Sequence, residues 1–251
     1  MIGIRTVLMA AAVAALLSAD GVSDAKVIVF DRVAIVGRPV QLIVLTKARW
    51  FPEGGQRVTL SVGGTRLKKL LTGGDGFGYA MFSPIETGLK AIDAEYRNEQ
   101  GSGTLLVMRP EERAVLVDVD AAVRESFLSA RPRGGTRKAM ETIGQKYRII
   151  YLHGLTGLVA TRQWLEANEL PESVVLSWDN ADRLKFLERD GIQLHAIIGA
   201  ADQMTVAKNY VQHRFSFENT PTGRQVARWE EILEMLKLKS SDEGNSENGQ
   251  R

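Results

Sequence analysis

Between residues 26 and 110 apolar and polar positions alternate at the two-residue period of half-buried strands. The runs cover 26–36, 39–45, 57–62, 67–71, 77–82, 88–96 and 104–108. They are broken by Gly37-Arg38, Gly63-Gly64 and Gly73-Gly74-Asp75-Gly76, which supply the backbone freedom a reversal needs. About seven short strands with turns between them predict a β-sandwich. Past Arg109-Pro110-Glu111-Glu112 the pattern changes. Mainly apolar runs at 114–119, 147–152, 173–176 and 194–198 read as strands of a buried sheet. Helical spacing marks 136–143, 159–167, 181–190, 205–211 and 228–236. This alternation predicts a parallel sheet with helices on both faces. From Ser240 the chain turns to Ser, Asp, Glu, Asn and Gly, and residues 238–251 are expected to be a disordered tail.

The run Ala114-Val115-Leu116-Val117-Asp118-Val119-Asp120 ends in two carboxylates spaced two apart. Ligands of open α/β sheets bind beyond the carboxyl ends of the strands, and side chains two apart start on one face. Two acids there are costly to desolvate unless a cation such as Mg²⁺ lies between them. The alternative is a strand end followed by an acidic helix cap.

Charge narrows the partners. The chain has 251 residues and a formal net charge of +2, with no basic stripe interleaved with aromatics, so nucleic acid is excluded as a partner. Arg5 precedes the apolar stretch 7–17, and Ser23-Asp24-Ala25 has small-x-small form. Residues 1–25 are therefore expected to be a secretory signal peptide cleaved after Ala25, leaving no transmembrane span. The expected location is secreted or periplasmic, in a bacterium. The sequence contains no cysteine, so neither lipidation at Cys nor a disulfide contributes.

Two resemblances refine this division. Gly37-Arg38-Pro39-Val40, Asp75-Gly76-Phe77-Gly78-Tyr79-Ala80 and 88–96 resemble bacterial immunoglobulin-like domains of secreted proteins. That likeness implies a binding or spacer module over 26–110. Trp50-Phe51-Pro52 follows the second strand, either folded onto the sandwich or exposed as an anchor for a partner. Over 111–237 the order of features resembles the haloacid dehalogenase-like (HAD) superfamily, in its phosphatidate phosphatase and lipin-like branch. The carriers are Val115 to Asp120, Gly134 to Met140, Thr161-Arg162-Gln163-Trp164-Leu165, Asn168-Glu169-Leu170-Pro171, Lys185, and Ile197 to Asp202. The expected fold is thus an immunoglobulin-like sandwich followed by a Rossmann-like, HAD-like α/β domain.

The second resemblance implies a Mg²⁺-dependent phosphatase. Asp118 would attack phosphorus, Asp120 would serve as general acid and base, and Lys185 would neutralise the phosphoryl group. Asp118, Asp120 and Asp202 would hold the metal. His153 and Thr156 stand where phosphate would be bound. Departures are visible. Ala121-Ala122-Val123 follows the second aspartate without a hydroxyl, His153 replaces a Ser or Thr, and Ala200-Ala201 delays the acid to Asp202. His153 either holds phosphate when protonated or plugs the pocket; Asp202 either reaches the metal or caps the next helix. The readings are a secreted phosphatase acting on a phosphomonoester, a degenerate relative binding a phosphorylated small molecule, lipid head group or protein without turnover, and an inert scaffold.

Overall fold

The computed structural model describes residues 27–48, 51–67, 69–126 and 129–238. The expected signal peptide, Trp50 and nearly all of the expected tail lie outside these residues. Among those described, no helix is long and apolar enough to cross a membrane.

Two antiparallel layers form from the alternating runs. The first run does not stay whole: it splits into β1 (Val27–Val29) and β2 (Arg32–Ile35) on either side of Asp31. β1 pairs antiparallel with β3 (Val40–Ala48), which pairs on its other side with β8 (Phe77–Phe82). β3 also continues onto β4 (Phe51–Pro52). In the second layer β2 runs parallel to β10 (Glu99–Met108), followed in order by β9 (Gly88–Tyr96), β5 (Arg57–Val62) and β6 (Thr65–Arg66). The short β7 (Leu70–Leu71) pairs with β5. Inward positions such as Leu42, Leu60, Ile92 and Leu105 are fully buried between the layers. Each such side chain contributes about 1.5–3 kcal/mol relative to exposure.

A third sheet follows, with every pairing parallel. Its order is β13 (Val174–Ser177), β12 (Arg148–His153), β11 (Arg113–Asp118), β14 (Gln193–Ile198), β15 (His213–Ser216) and β16 (Arg224–Gln225). The helices are α1 (Thr136–Gly144), α2 (Leu158–Ala167), α3 (Ala181–Arg189), α4 (Ala201–Val206) and α5 (Trp229–Met235). On one face Val115, Val117 and Tyr151 meet Met140 of α1, Leu165 of α2 and Trp229 of α5. On the other, Leu116, Ile150 and Val174 meet Leu184 of α3 and Met204 of α4.

That second face is also covered by strands. Val33 and Ile35 of β2, with Leu106 and Met108 of β10, belong to the same buried cluster. The expectation of a Rossmann-like, HAD-like α/β domain with helices covering both faces is corrected on this point. Among the described residues strand outweighs helix, 40% against 24%, and sandwich strands do part of the work assigned to helices.

One buried carboxylate ties the layers together. Asp31 accepts the backbone N–H of Thr104 in β10 and of Val175 in β13, whose outer edge has no strand neighbour among the described residues. An open edge must be blunted or satisfied, and Asp31 does this at one N–H. Arg162 of α2 pairs with the same carboxylate and donates to the carbonyls of Val29 and Ser102 at 2.9 and 2.8 Å.

Candidate functional site

The chain leaves β11 at Asp118 and winds through one π-helical turn, Val119–Val123. Such turns are frequent at functional sites, so the surroundings of both carboxylates decide what they do. Asp118 is buried, 4% exposed. One carboxylate oxygen accepts the N–H of Ala121 at 2.8 Å, and the other accepts Gln203 Nε2. Gln203 is itself held, since its Oε1 accepts the N–H of Ala200 at 3.1 Å. Gly199 makes room for this arrangement: a Cβ there would lie 2.0 Å from Gln203 Oε1 and 3.0 Å from the Asp118 Cβ. Burial pushes the Asp118 carboxyl above the usual aspartate range, against the two donors that pull it down.

Asp120 is engaged as fully. Thr156 Oγ1 donates to its Oδ1 at 2.9 Å and the N–H of Gly154 to its Oδ2 at 3.2 Å. Arg124 Nε lies 3.6 Å from Oδ1 as an ion pair. The Arg124 guanidinium carbon sits 4.5 Å from the centre of the Trp164 ring, and its Nη1 donates to the carbonyl of Ser129.

The other expected site residues divide. Thr156 comes to Asp120, and His153 ends the neighbouring strand β12. Burial lowers the His153 pKa, which favours the neutral ring over the phosphate-holding cation. Lys185 lies exposed on α3 and pairs with Asp182 at 3.3 Å; it has no bond to Asp118 or Asp120. Asp202 lies inside the first turn of α4, whose N-cap is Ala200, and accepts the N–H of the next residue, Gln203, at 2.9 Å. Among the described residues no group of three His, Cys, Asp or Glu is placed to hold an ion. Asp118 and Asp120 have no third carboxylate or imidazole placed beside them among the described residues, so this donor set does not fit a protein-held Mg²⁺.

A separate cleft of about 410 Å³ opens where the sandwich meets the parallel sheet. Its floor is Ile28, Phe30, Ile43 and Phe77 of the β1–β3–β8 layer, and its opposite wall is Leu158, Val159 and Leu176. His153, Arg183 and Arg32 stand around it, with the carboxylates of Asp31 and Asp179, which are paired with Arg162 and Arg183. The floor continues outward as a row of rings, Phe30 to Phe77 at 6.1 Å and Phe77 to Tyr79 at 6.4 Å. Tyr79 and Met81 follow at 51% and 62% exposure. Sequence reading missed Gln203, Asp31 and this cleft. The available signals were a charged residue inside the first apolar run and the alternating large residues Phe77, Tyr79 and Met81.

No protein-family model matches the chain, and no curated protein matches it either. Solved structures similar to it include the CARDB domain of a Pyrococcus furiosus protein, 18% identical with a TM-score of 0.27 over 34% of this chain and 94% of that one. Invasin, a bacterial integrin-binding protein, is 15% identical at a TM-score of 0.29 over 33% of this chain and 18% of its own. A fibronectin(III)-like module of Clostridium thermocellum CbhA is 14% identical at 0.26, over 33% of this chain and 97% of that one. Each of these three matches covers about a third of this chain. The geometry of the strand ends corrects the expected membership of the HAD-like superfamily and its phosphatidate phosphatase branch, the Mg²⁺-dependent phosphatase activity and the degenerate-relative alternative. The physical reason is the closed hydrogen-bonding of Asp118 and Asp120, with Lys185 turned elsewhere.

Proposed function

We propose that this chain is an exported, non-catalytic binding module that takes an apolar ligand in the cleft between its sandwich and its parallel sheet. The observation that carries the reading is the cleft itself: about 410 Å³, floored by Ile28, Phe30, Ile43 and Phe77 and faced by Leu158, Val159 and Leu176. Small-molecule sites are concave, mostly apolar and placed preferentially at the meeting of two structural units. Export is supported by the pattern of residues 5–25. The internal donors on every oxygen of Asp118 and Asp120 support a structural role for both carboxylates.

Titration with the neutral fluorophore N-phenyl-1-naphthylamine tests this. Saturable one-to-one enhancement is expected, weakened at least tenfold by Val159→Trp, which fills the wall, and unchanged by Asp118→Asn. No saturable binding, or loss of binding on Asp118→Asn with Val159→Trp silent, refutes the reading.

A further inference from the structure

Two guanidinium groups meet at the mouth of the cleft, and their partners differ. Arg183 Nε donates to the carbonyl of Ser177 at 2.8 Å, and its Nη2 pairs with Asp179 at 2.6 Å. Asp179 also accepts Ser177 Oγ at 2.7 Å, so that carboxylate is already engaged. Arg32 has only Nε committed, to the carbonyl of Gln41 at 2.9 Å. Among the described residues no carboxylate lies within ion-pair distance of Arg32, and its two Nη groups have no protein acceptor. Burial and the neighbouring Arg183 lower the Arg32 pKa, and Asp190 and Tyr79 offset this in part. Phe186 holds them together: its ring centre is 5.5 Å from the Arg32 guanidinium carbon, 5.9 Å from that of Arg183 and 4.9 Å from that of Arg189.

A part-buried guanidinium with two unused donor groups, beside a second cation, is an acceptor's place left open. It stands at one end of an apolar cleft. We infer that the ligand is an amphiphile with a carboxylate head, of the fatty-acid type, its chain laid on Phe30, Ile43 and Phe77 and its head on the free Nη groups of Arg32 beside Arg183. This rests on the cleft being the binding site, and it adds the polarity and the sign of the ligand's head. The planar fork of arginine matches a carboxylate in a bidentate manner, and His153, whose pKa burial lowers, adds no competing charge.

The test is calorimetric titration of the exported chain, below micelle-forming concentrations, with decanoate, 1-decanol and decyltrimethylammonium. Decanoate is expected to bind at least tenfold more tightly than decanol, and the ammonium more weakly than both. Lengthening the acid should raise affinity by up to about fourfold per methylene until the cleft is full. Arg32→Gln should remove the preference for the acid while leaving decanol unchanged, and Arg32→Lys should restore part of it. Equal affinity for acid and alcohol in the unaltered protein overturns the head-group inference and leaves the apolar cleft standing. Binding of none of the three overturns the cleft reading itself. The unaltered-protein comparison needs no variant, so it decides the matter even if Arg32→Gln fails to fold.

Discussion

Removing Arg162 is the sharpest perturbation of how the two layers hold together. Its guanidinium is the only cation paired with Asp31 among the described residues, and that carboxylate is completely buried. Arg162→Met deletes two donors to Asp31 and the bonds to the carbonyls of Val29 and Ser102. What remains on Asp31 is the pair of backbone N–H groups from Thr104 and Val175. Breaking a buried ion pair from one side costs about 3–5 kcal/mol. The Arg162 side chain is 24% exposed, so water reaches the vacated side and the lower end, about 3 kcal/mol, is expected. For a chain of this size that is a fall in Tm of about 6–12 °C. The assay is urea denaturation of the wild type, Asp31→Asn, Arg162→Met and the double variant. A coupling of about 2 kcal/mol is expected, since the second change removes a charge the first has already stranded. Additivity within about 0.5 kcal/mol would mean that the pair is decoration, and the reasoning fails.

Three further outcomes follow from the carboxylates at the end of β11. Gly199→Ala should destabilise by about 1–3 kcal/mol in the same assay, because its Cβ would strike the buried Gln203 amide at 2.0 Å; an unchanged midpoint would show that the amide moves freely. Gln203→Ala should cost about 1–3 kcal/mol by taking a donor from buried Asp118, read from the same curves, and a neutral result would mean that water replaces the amide without loss. Asp118→Asn tests the titration. Because burial raises the folded-state pKa of Asp118, the folded state binds its proton more tightly than the unfolded one. That stabilisation is full below the ordinary aspartate pKa of about 4 and is lost as pH rises through the higher folded value. Stability measured against pH should therefore shift in favour of the Asn variant as pH climbs above 4; a gap that is flat or moves the other way contradicts the assigned direction.

The strands were legible wherever one face is buried. The run 77–82 is β8 and 88–96 is β9, residue for residue, because a one-residue slip would turn every inward side chain to solvent. The first run, 26–36, was not legible as two strands, although Asp31 is the place where it leaves β3 for β10. Asp31 stands next to Arg32 in that run, yet its buried partner, Arg162, is 131 residues away. Periodicity does not see such a separation. β15 and β16 were missed because His213-Arg214-Phe215-Ser216 and Arg224-Gln225 carry little apolar pattern and take their conformation from pairing with β14 and with each other. The expected helix at 205–211 begins earlier, at Ala201, and ends in a 3₁₀ turn at Ala207–Asn209.

The candidate site was half legible. Asp118 and Asp120 do end a buried strand, and Thr156 does come to Asp120. What the sequence could not show is that Gln203 closes over Asp118, since an amide at the start of a helix reads as a neutral surface residue. The resemblance that assigned chemistry to the pair rested on order and spacing, which the hydrogen bonds of a closed structural knot can satisfy equally well. Lys185 sat at a suitable distance along the chain but on the outer side of α3, where it meets Asp182.

The most direct measurement is a crystal structure of residues 26–251 grown with decanoate. The account predicts density between Phe77 and Val159 with the carboxylate on Arg32 beside Arg183, and Asp118 still bonded to Ala121 and Gln203. A ligand bound at Asp118 and Asp120, with Gln203 displaced, would contradict it.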